Sequence, residues 1–295
     1  MNRRTLLAAL PWLGVARHLA AAETVKVVAS FSILADMTQV VGGEAVTVAS
    51  LVPVDGDAHQ YQPTPSDLTS IHAAVALVEN GLGLEGWMAR LPQAAGFKGV
   101  RIVAGAAVTP RQMEEDGRSI TDPHAWQDPT NAILYVRAIA AGLAKALPDQ
   151  ATAIAARAGA YIAEIEATDR WISSQLAGVP REKRVILTSH DAFGYYGARY
   201  GVTLRFVQGI STEGEPSAAD LAALIGQIKR EHVRAVFVEN MTDPRLAATV
   251  AREAGAVLGG AVYSDALSAA GGPAATYLEM LRHNTALFVA AMTGA

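Results

Sequence analysis

From Asp149 to about Ala177 the chain runs for one long stretch without a proline and with a single glycine, Gly159. Such a run is helix-compatible throughout, and it exceeds by far the mean globular helix of about 11–12 residues. Tyr161, Ile162, Ile165, Trp171, Ile172 and Leu176 supply recurring apolar contacts along it. A rigid connector of this kind leaves two bodies to be built, one on each side.

Both flanks alternate short β-rich runs with helical ones. Before the connector come the strand VKVVAS, the glycine-terminated helix ILADMTQVVGG, the strand AVTVASLV and the helix PSDLTSIHAA, with Pro65 first in the helix after Thr64. ALVEN, the helix LEGWMARL and the strand RIVAG follow, and Asp128-Pro129 starts a helix that reaches Leu147. After the connector the series resumes: RVILTS, a helix ending at Gly201, TLRFVQ, SAADLAALIGQIKREH, RAVFVEN, PRLAATVAREAG, AVLGGAVYS and a last helix from about Ala274 to Met292. Alternation of this type implies parallel sheets covered by helices. The expected fold class is therefore α/β: two (β/α) lobes, 23–147 and 179–295, joined by one long helix over 148–178. A chain of 295 residues, 51% of them hydrophobic, has enough apolar surface for both cores.

Residues 1–22 read as a signal peptide: Arg3-Arg4, a short apolar stretch, then Ala20-Ala21-Ala22 as an A-x-A-like cleavage site. The arginine pair followed by Thr5-Leu6-Leu7 fits twin-arginine export as well as an ordinary secretory signal. The apolar stretch is too short to span a bilayer, and no later segment reaches roughly 18 uncharged apolar residues. There is no cysteine, so thiolate metal sites, disulfides and a lipid-bearing cysteine after the signal are all excluded from the expectation. The mature chain is expected to be exported and soluble. A net charge of −4 without any Lys/Arg run argues against a nucleic-acid partner.

Any site for a soft or borderline metal must then be made of imidazole and carboxylate. Seven histidines are present, and three of them stand where a strand ends and a loop begins, which is where open α/β sheets bind ligands. His59 follows the strand ending at Val52, in VPVDGDAHQYQPTPSD. His124 lies in TDPHAWQDP, ahead of the Asp128-Pro129 helix start. His190 follows RVILTS directly, and Asp265 follows AVLGGAVYS. Three neutral imidazoles and one carboxylate complete a four-coordinate shell for Zn²⁺, at bond lengths of about 2.0–2.2 Å. Mg²⁺ and Ca²⁺ would call for more oxygen donors. A single loop histidine is more often a surface residue, and the scattered spacing forms no local signature. The shared position after strands is what singles out these four.

Several segments together carry a resemblance over almost the whole mature chain: VVASFSILADMTQVVGG, VDGDAHQYQPTPSDL, DPHAWQDPTNA, TSHDAFGYYGARYGV, STEGEPSAADLAALIGQIKREHVRAVFVEN and VYSDALS. In these the sequence resembles the zinc- and manganese-binding solute-binding proteins of ABC importers. The resemblance implies two lobes bridged by one long helix, and a metal held in the cleft between them by His59, His124, His190 and Asp265. It implies a periplasmic, monomeric protein that passes its ion to a membrane permease, with a metallochaperone as a conceivable loading partner. Manganese-type relatives carry Glu where this chain has His190, so the pattern looks zinc-type, with Mn²⁺ as the alternative cargo. The chain departs from many zinc-type relatives in one respect. The stretch before His124, VTPRQMEEDGRSITDPH, carries acids but no earlier histidine, so Glu114, Glu115 and Asp116 read as a solvated charge run.

The other histidines have ordinary readings: His18 in the signal, His72 and His232 in or at the end of helices, His283 in the last helix. Asp57, Asp67 and Asp191 are candidates to orient the ligating rings, with a helix-start role preferred for Asp67. Trp126, Phe193, Tyr195 and Tyr196 either shield the cleft or pack the core. A zinc hydrolase is the main rival function, but it needs an open coordination position and a general base, and the sequence has no H-E-x-x-H, G-x-S-x-G or phosphate loop. A lobe pair that captures an organic ligand or metal chelate is the other rival.

Overall fold

A computed structural model describes residues 24–115, 118–207, 212, 217–231 and 233–294. The expected signal segment 1–22, with His18, lies outside the described residues, as do Asp116 and His232. The first lobe begins with β1 (Val25–Phe31), α1 (Ser32–Gly42) and β2 (Val46–Val52). It continues with α2 (Pro65–His72), β3 (Ala76–Glu79), the short α3 (Leu91–Ala94) and β4 (Val100–Val103). A two-stranded hairpin, β5 (Gln112–Glu115) and β6 (Arg118–Thr121), precedes α4 (Pro129–Ala146). The connector is α5 (Ala151–Ala177), 27 residues and hence about 40 Å long. The second lobe contains β7 (Val185–Thr188), α6 (Gly194–Tyr200), β8 (Thr203–Phe206) and α7 (Ala218–Glu231), then β9 (Ala235–Glu239), α8 (Pro244–Ala254), β10 (Val257–Val262) and α9 (Tyr277–Thr293).

The first sheet has the order β2-β1-β3-β4 and the second the order β8-β7-β9-β10, all parallel. Numbered within its own lobe, each sheet is 2-1-3-4. The two lobes thus repeat one topology although their sequences show no obvious repeat. Successive side chains leave opposite faces of a strand, and both faces are covered. Val27, Ala29 and Phe31 of β1 enter one core, while Val28 enters another with Leu77, Ile71 and Leu91 beneath α2 and α3. Leu187 and Val236 of the second sheet pack against Ile228 and Val250 of α7 and α8.

The largest core crosses from lobe to lobe. It contains Leu34 and Met37 of α1, Ile154, Ile165 and Ile172 of α5, and Phe237, Tyr277 and Phe288 of the second lobe. Polar bonds fasten α5 at both ends: Arg157 donates to the carbonyls of Val41 and Gly42, each at 2.8 Å, and Arg282 of α9 donates to the Thr168 hydroxyl at 3.1 Å. Among the described residues no helix is long and apolar enough to cross a membrane.

Two local expectations need correction. No helix spans Leu84–Leu91. That stretch is a 3-10 turn at Gly86–Met88 followed by the four-residue α3. Gly81, Leu82 and Gly83 all hold positive φ just upstream, which turns the chain sharply and leaves no room for a regular helix start. The β5–β6 hairpin was not expected, because its strands QMEE and RSIT are short and polar.

Candidate metal centre

His59 is carried by the loop between β2 and α2. Trp87 Nε1 donates to the Ala58 carbonyl at 2.9 Å, and Asp57 Oδ1 accepts the His59 amide at 2.8 Å. At the far end of the loop α2 is closed by a Thr64/Asp67 capping box, to which Tyr61 adds its hydroxyl at 2.8 Å. The loop also reaches the second lobe. Asp55 N donates to Leu267 O at 3.1 Å, and the Thr212 hydroxyl donates to Asp57 Oδ2 at 2.6 Å.

His124 follows β6. Asp122 is completely buried, and its Oδ1 accepts the His124 amide at 3.0 Å and lies 3.0 Å from His124 Nδ1. Its other oxygen accepts from Arg111 at 3.1 Å. Asn80 Nδ2 donates to Pro123 O at 2.9 Å, which fixes the preceding peptide. His190 leaves the end of β7, its amide donating to Glu239 Oε1 at 2.8 Å and its Nδ1 lying 2.6 Å from Glu239 Oε2. Asp265 follows β10 and Ser264. The Ser264 hydroxyl donates to Glu239, and its carbonyl accepts Trp126 Nε1 at 2.8 Å and Gln127 Nε2 at 2.9 Å. One residue therefore ties together the segments that carry His124, His190 and Asp265.

The four side chains converge, with one donor atom from each lying within 4.8 Å of all the others. His59 Nε2 is 3.2 Å from His124 Nε2 and 3.1 Å from Asp265 Oδ2, while His190 Nε2 and His124 Nε2 are 3.3 Å and 3.6 Å from Asp265 oxygens. Donors placed tetrahedrally at about 2.05 Å from one ion would be separated by about 3.3 Å. The spacing thus fits a cation at the centre. Both Asp265 oxygens and His190 Nε2 are buried without an aligned hydrogen-bond partner among the described residues. Buried polar atoms seldom lack partners, so these point to a missing one.

The electrostatics of the buried donors favour positive charge. Burial opposes a charge on His124, but Asp265 and Asp122 outweigh it and push the imidazole up to about 9. Burial likewise opposes the charge on His190, and Glu239 with Asp265 overcomes it and raises this ring well above its usual range. Burial would raise Asp265, yet the two charged rings beside it hold the carboxyl well below the ordinary carboxylate value. The arrangement is a pocket for positive charge.

The remaining sequence candidates divide cleanly. Asp57 holds the His59 backbone and not its ring, and Asp67 caps α2. Asp191 is buried, a cost that raises its carboxyl to about 6, and none of the four imidazole and carboxylate donors pairs with it. Asp122 and Glu239 are the carboxylates behind the rings, and sequence reasoning missed both. Trp126 packs edge-on to His124 at 5.3 Å and so walls the site, whereas Phe193 and Tyr196 pack in the core around Phe288. His72 and His283 bond the carbonyls of Ala95 and Ala261, away from the cluster.

Comparison with known proteins identifies the chain's relatives. A profile of the family described as "Zinc-uptake complex component A periplasmic" (ZnuA) matches residues 27–291. The chain is 33% identical over 271 residues to the manganese-binding lipoprotein MntA of Halalkalibacterium halodurans, covering 92% of this chain and 89% of that one. It is 32% identical to the iron-binding protein YfeA of Yersinia pestis, covering 88% and 84% of the two chains. The periplasmic zinc binding protein TroA from Treponema pallidum superposes with a TM-score of 0.86 at 27% identity, over 92% of this chain and 99% of that one. The chain therefore belongs to the ZnuA family of metal-binding, solute-binding components of ABC importers, a family of receptors and not of enzymes.

Proposed function

We propose that this protein captures one Zn²⁺ ion outside the inner membrane, on His59, His124, His190 and Asp265, and hands it to the permease of an ABC importer. The observation that carries the reading is the convergence of three imidazole Nε2 atoms and one carboxylate, 3.1–3.6 Å apart at the distances measured between them, in a buried pocket where the Asp265 oxygens and His190 Nε2 lack other aligned partners among the described residues. Nitrogen donors outnumber carboxylate donors by three to one, and that composition favours a borderline ion over a hard one. His190 is the deciding position, since a carboxylate there would make the set two nitrogens and two oxygens. With Asp265 closing the shell no place is left for a nucleophilic water, which agrees with a receptor and not a hydrolase.

Mn²⁺ is the second reading. It is favoured by the manganese-binding relative named above and by the placement of Asp265, both of whose oxygens face histidine nitrogens and could add a fifth donor. Native mass spectrometry of the mature protein, followed by competition titration of Zn²⁺ against Mn²⁺, tests the choice. One ion per chain with Zn²⁺ displacing equimolar Mn²⁺ is the expected outcome. Displacement in the opposite sense would establish Mn²⁺ as cargo, and no ion retained at all would overturn the assignment of the site.

A further inference from the structure

His59 differs from its three partners. Its side chain keeps 7% exposure, whereas those of His124, His190 and Asp265 have 0%. Asp122 and Glu239 stand behind the rings of His124 and His190, but no carboxylate backs the outer nitrogen of His59 among the described residues. A carboxylate behind a ligating imidazole fixes the ring and strengthens its donor nitrogen. His59 is therefore the most weakly restrained ligand and the one nearest to water.

His59 also lines a cavity of about 1020 Å³. Its walls come from Gln60–Gln62, from Leu82–Leu84, Gly86 and Trp87, and from Pro110, Ile120, Thr121 and Pro123. The polar side chains along it, Gln60, Gln62, Tyr61 and Thr121, are neutral, and among the described residues no carboxylate lines it. Such walls can hydrogen-bond the waters of a hydrated cation without competing for the ion itself, which a carboxylate would do. His59, the least buried of the four donors, is part of the cavity lining.

We propose that this cavity is the passage by which a hydrated divalent ion reaches and leaves the centre, and that His59 is the exchangeable ligand. The ion settles first on His124, His190 and Asp265 with water completing its shell, and His59 Nε2 then displaces that water. Release runs in reverse. The inference rests on the metal-site reading above.

Gly86 lies on the wall, and a Cβ there would meet nothing within 4 Å, so a large side chain can be added. Gly86→Trp and Gln62→Trp are compared with Thr249→Trp, which lies in a second cavity of about 630 Å³ beside α8, on the other side of Gln60 and without His59 in its lining. Zn²⁺ uptake and its release to excess chelator are followed by stopped flow with a zinc-sensitive dye. Blocking a passage slows both directions alike, so both rates should fall by about tenfold in the two wall variants, with Kd within about twofold and Thr249→Trp unchanged. Unaltered rates in both wall variants would overturn the passage. So would a weakened Kd with unaltered uptake, because the wall would then be supporting the site and not gating it. His59→Ala should still bind Zn²⁺ and release it about a hundredfold faster at a similar uptake rate, whereas His190→Ala should lose binding. Equal loss in both would overturn the exchangeable role of His59. If the unmodified protein binds no ion, the failure lies with the proposed function instead.

Discussion

Asp36 shows how one side chain can link ionisation to the joining of the lobes. It sits on α1, and its Oδ2 accepts the Tyr277 amide at 2.9 Å, at the first turn of α9 in the other lobe. Burial raises its carboxyl to about 6 from 3.8, against the lowering effect of the Tyr277 and Tyr161 hydrogen bonds. The folded state then binds the proton more tightly than the unfolded one, so stability falls as pH rises from about 4 to about 6 and is level above that. The shift corresponds to about 3 kcal/mol at 1.36 kcal/mol per unit. Asp36→Asn keeps an acceptor for Tyr277 and removes the charge. Urea denaturation at pH 4 and pH 7 should show the wild type losing about 2 kcal/mol relative to this variant, and parallel curves would contradict the argument. At this scale the sequence was informative where residues are brought together by their position after strands, as for His59, His124, His190 and Asp265, which converge. It was silent where the role comes from pairing across strands. Glu239 meets His190 from 49 residues away, and nothing in RAVFVEN distinguishes its glutamate from a surface one.

Among the elements, α5 is the one most legible in the sequence, since a proline-free run with a single glycine admits little else. Its neighbours α1, α4 and α9 were also readable from glycine, proline and capping signals. The β5–β6 hairpin was harder, although Asp116-Gly117 in the sequence is a two-residue hairpin signal between short flanking runs. Its strands carry no run of β-branched or aromatic residues to mark them. What periodicity could not supply is how α5 is attached. Arg157 satisfies the carbonyls of Val41 and Gly42 at the C-terminal end of α1, where helices leave acceptors unpaired. Gly43 there has φ of 59°, and a Cβ on it would lie 2.7 Å from Arg157 Nε, so the guanidinium fits only over glycine. Arg157→Met preserves the aliphatic stem and removes both charge-assisted bonds. It should cost about 1–3 kcal/mol in urea denaturation, while leaving metal stoichiometry intact. A loss below about 0.5 kcal/mol would mean that α5 is held by its apolar face alone.

At the level of the whole molecule the apparent symmetry of the lobes misleads. Two sheets of identical 2-1-3-4 order flanking a cleft suggest a clamshell, yet the largest apolar core does not stop at the cleft. Leu34, Ile165 and Phe288 belong to one cluster, and Ser32 Oγ, Asp36 and Trp126 bond directly to Leu267 N, Tyr277 N and Ser264 O across the lobe boundary. Opening the lobes by hinge motion would expose part of that core. At about 25 cal/mol per Å², even 200 Å² of apolar surface would cost about 5 kcal/mol before any hydrogen bond is broken. A ligand can shift an equilibrium only by its differential affinity for the two states, and the four donors already converge across lobes that this core joins, so little closure remains for an ion to drive. Metal binding should therefore order the His59 loop and leave the lobes nearly fixed. Small-angle scattering of the metal-free and Zn²⁺-loaded protein should give radii of gyration equal within about 0.5 Å. Hydrogen exchange should slow on Zn²⁺ addition in the loop 53–62, with little change along α5. A decrease of 1 Å or more in radius of gyration, with protection spreading into α5, would show that the shared core yields and that the lobes close as a clamshell.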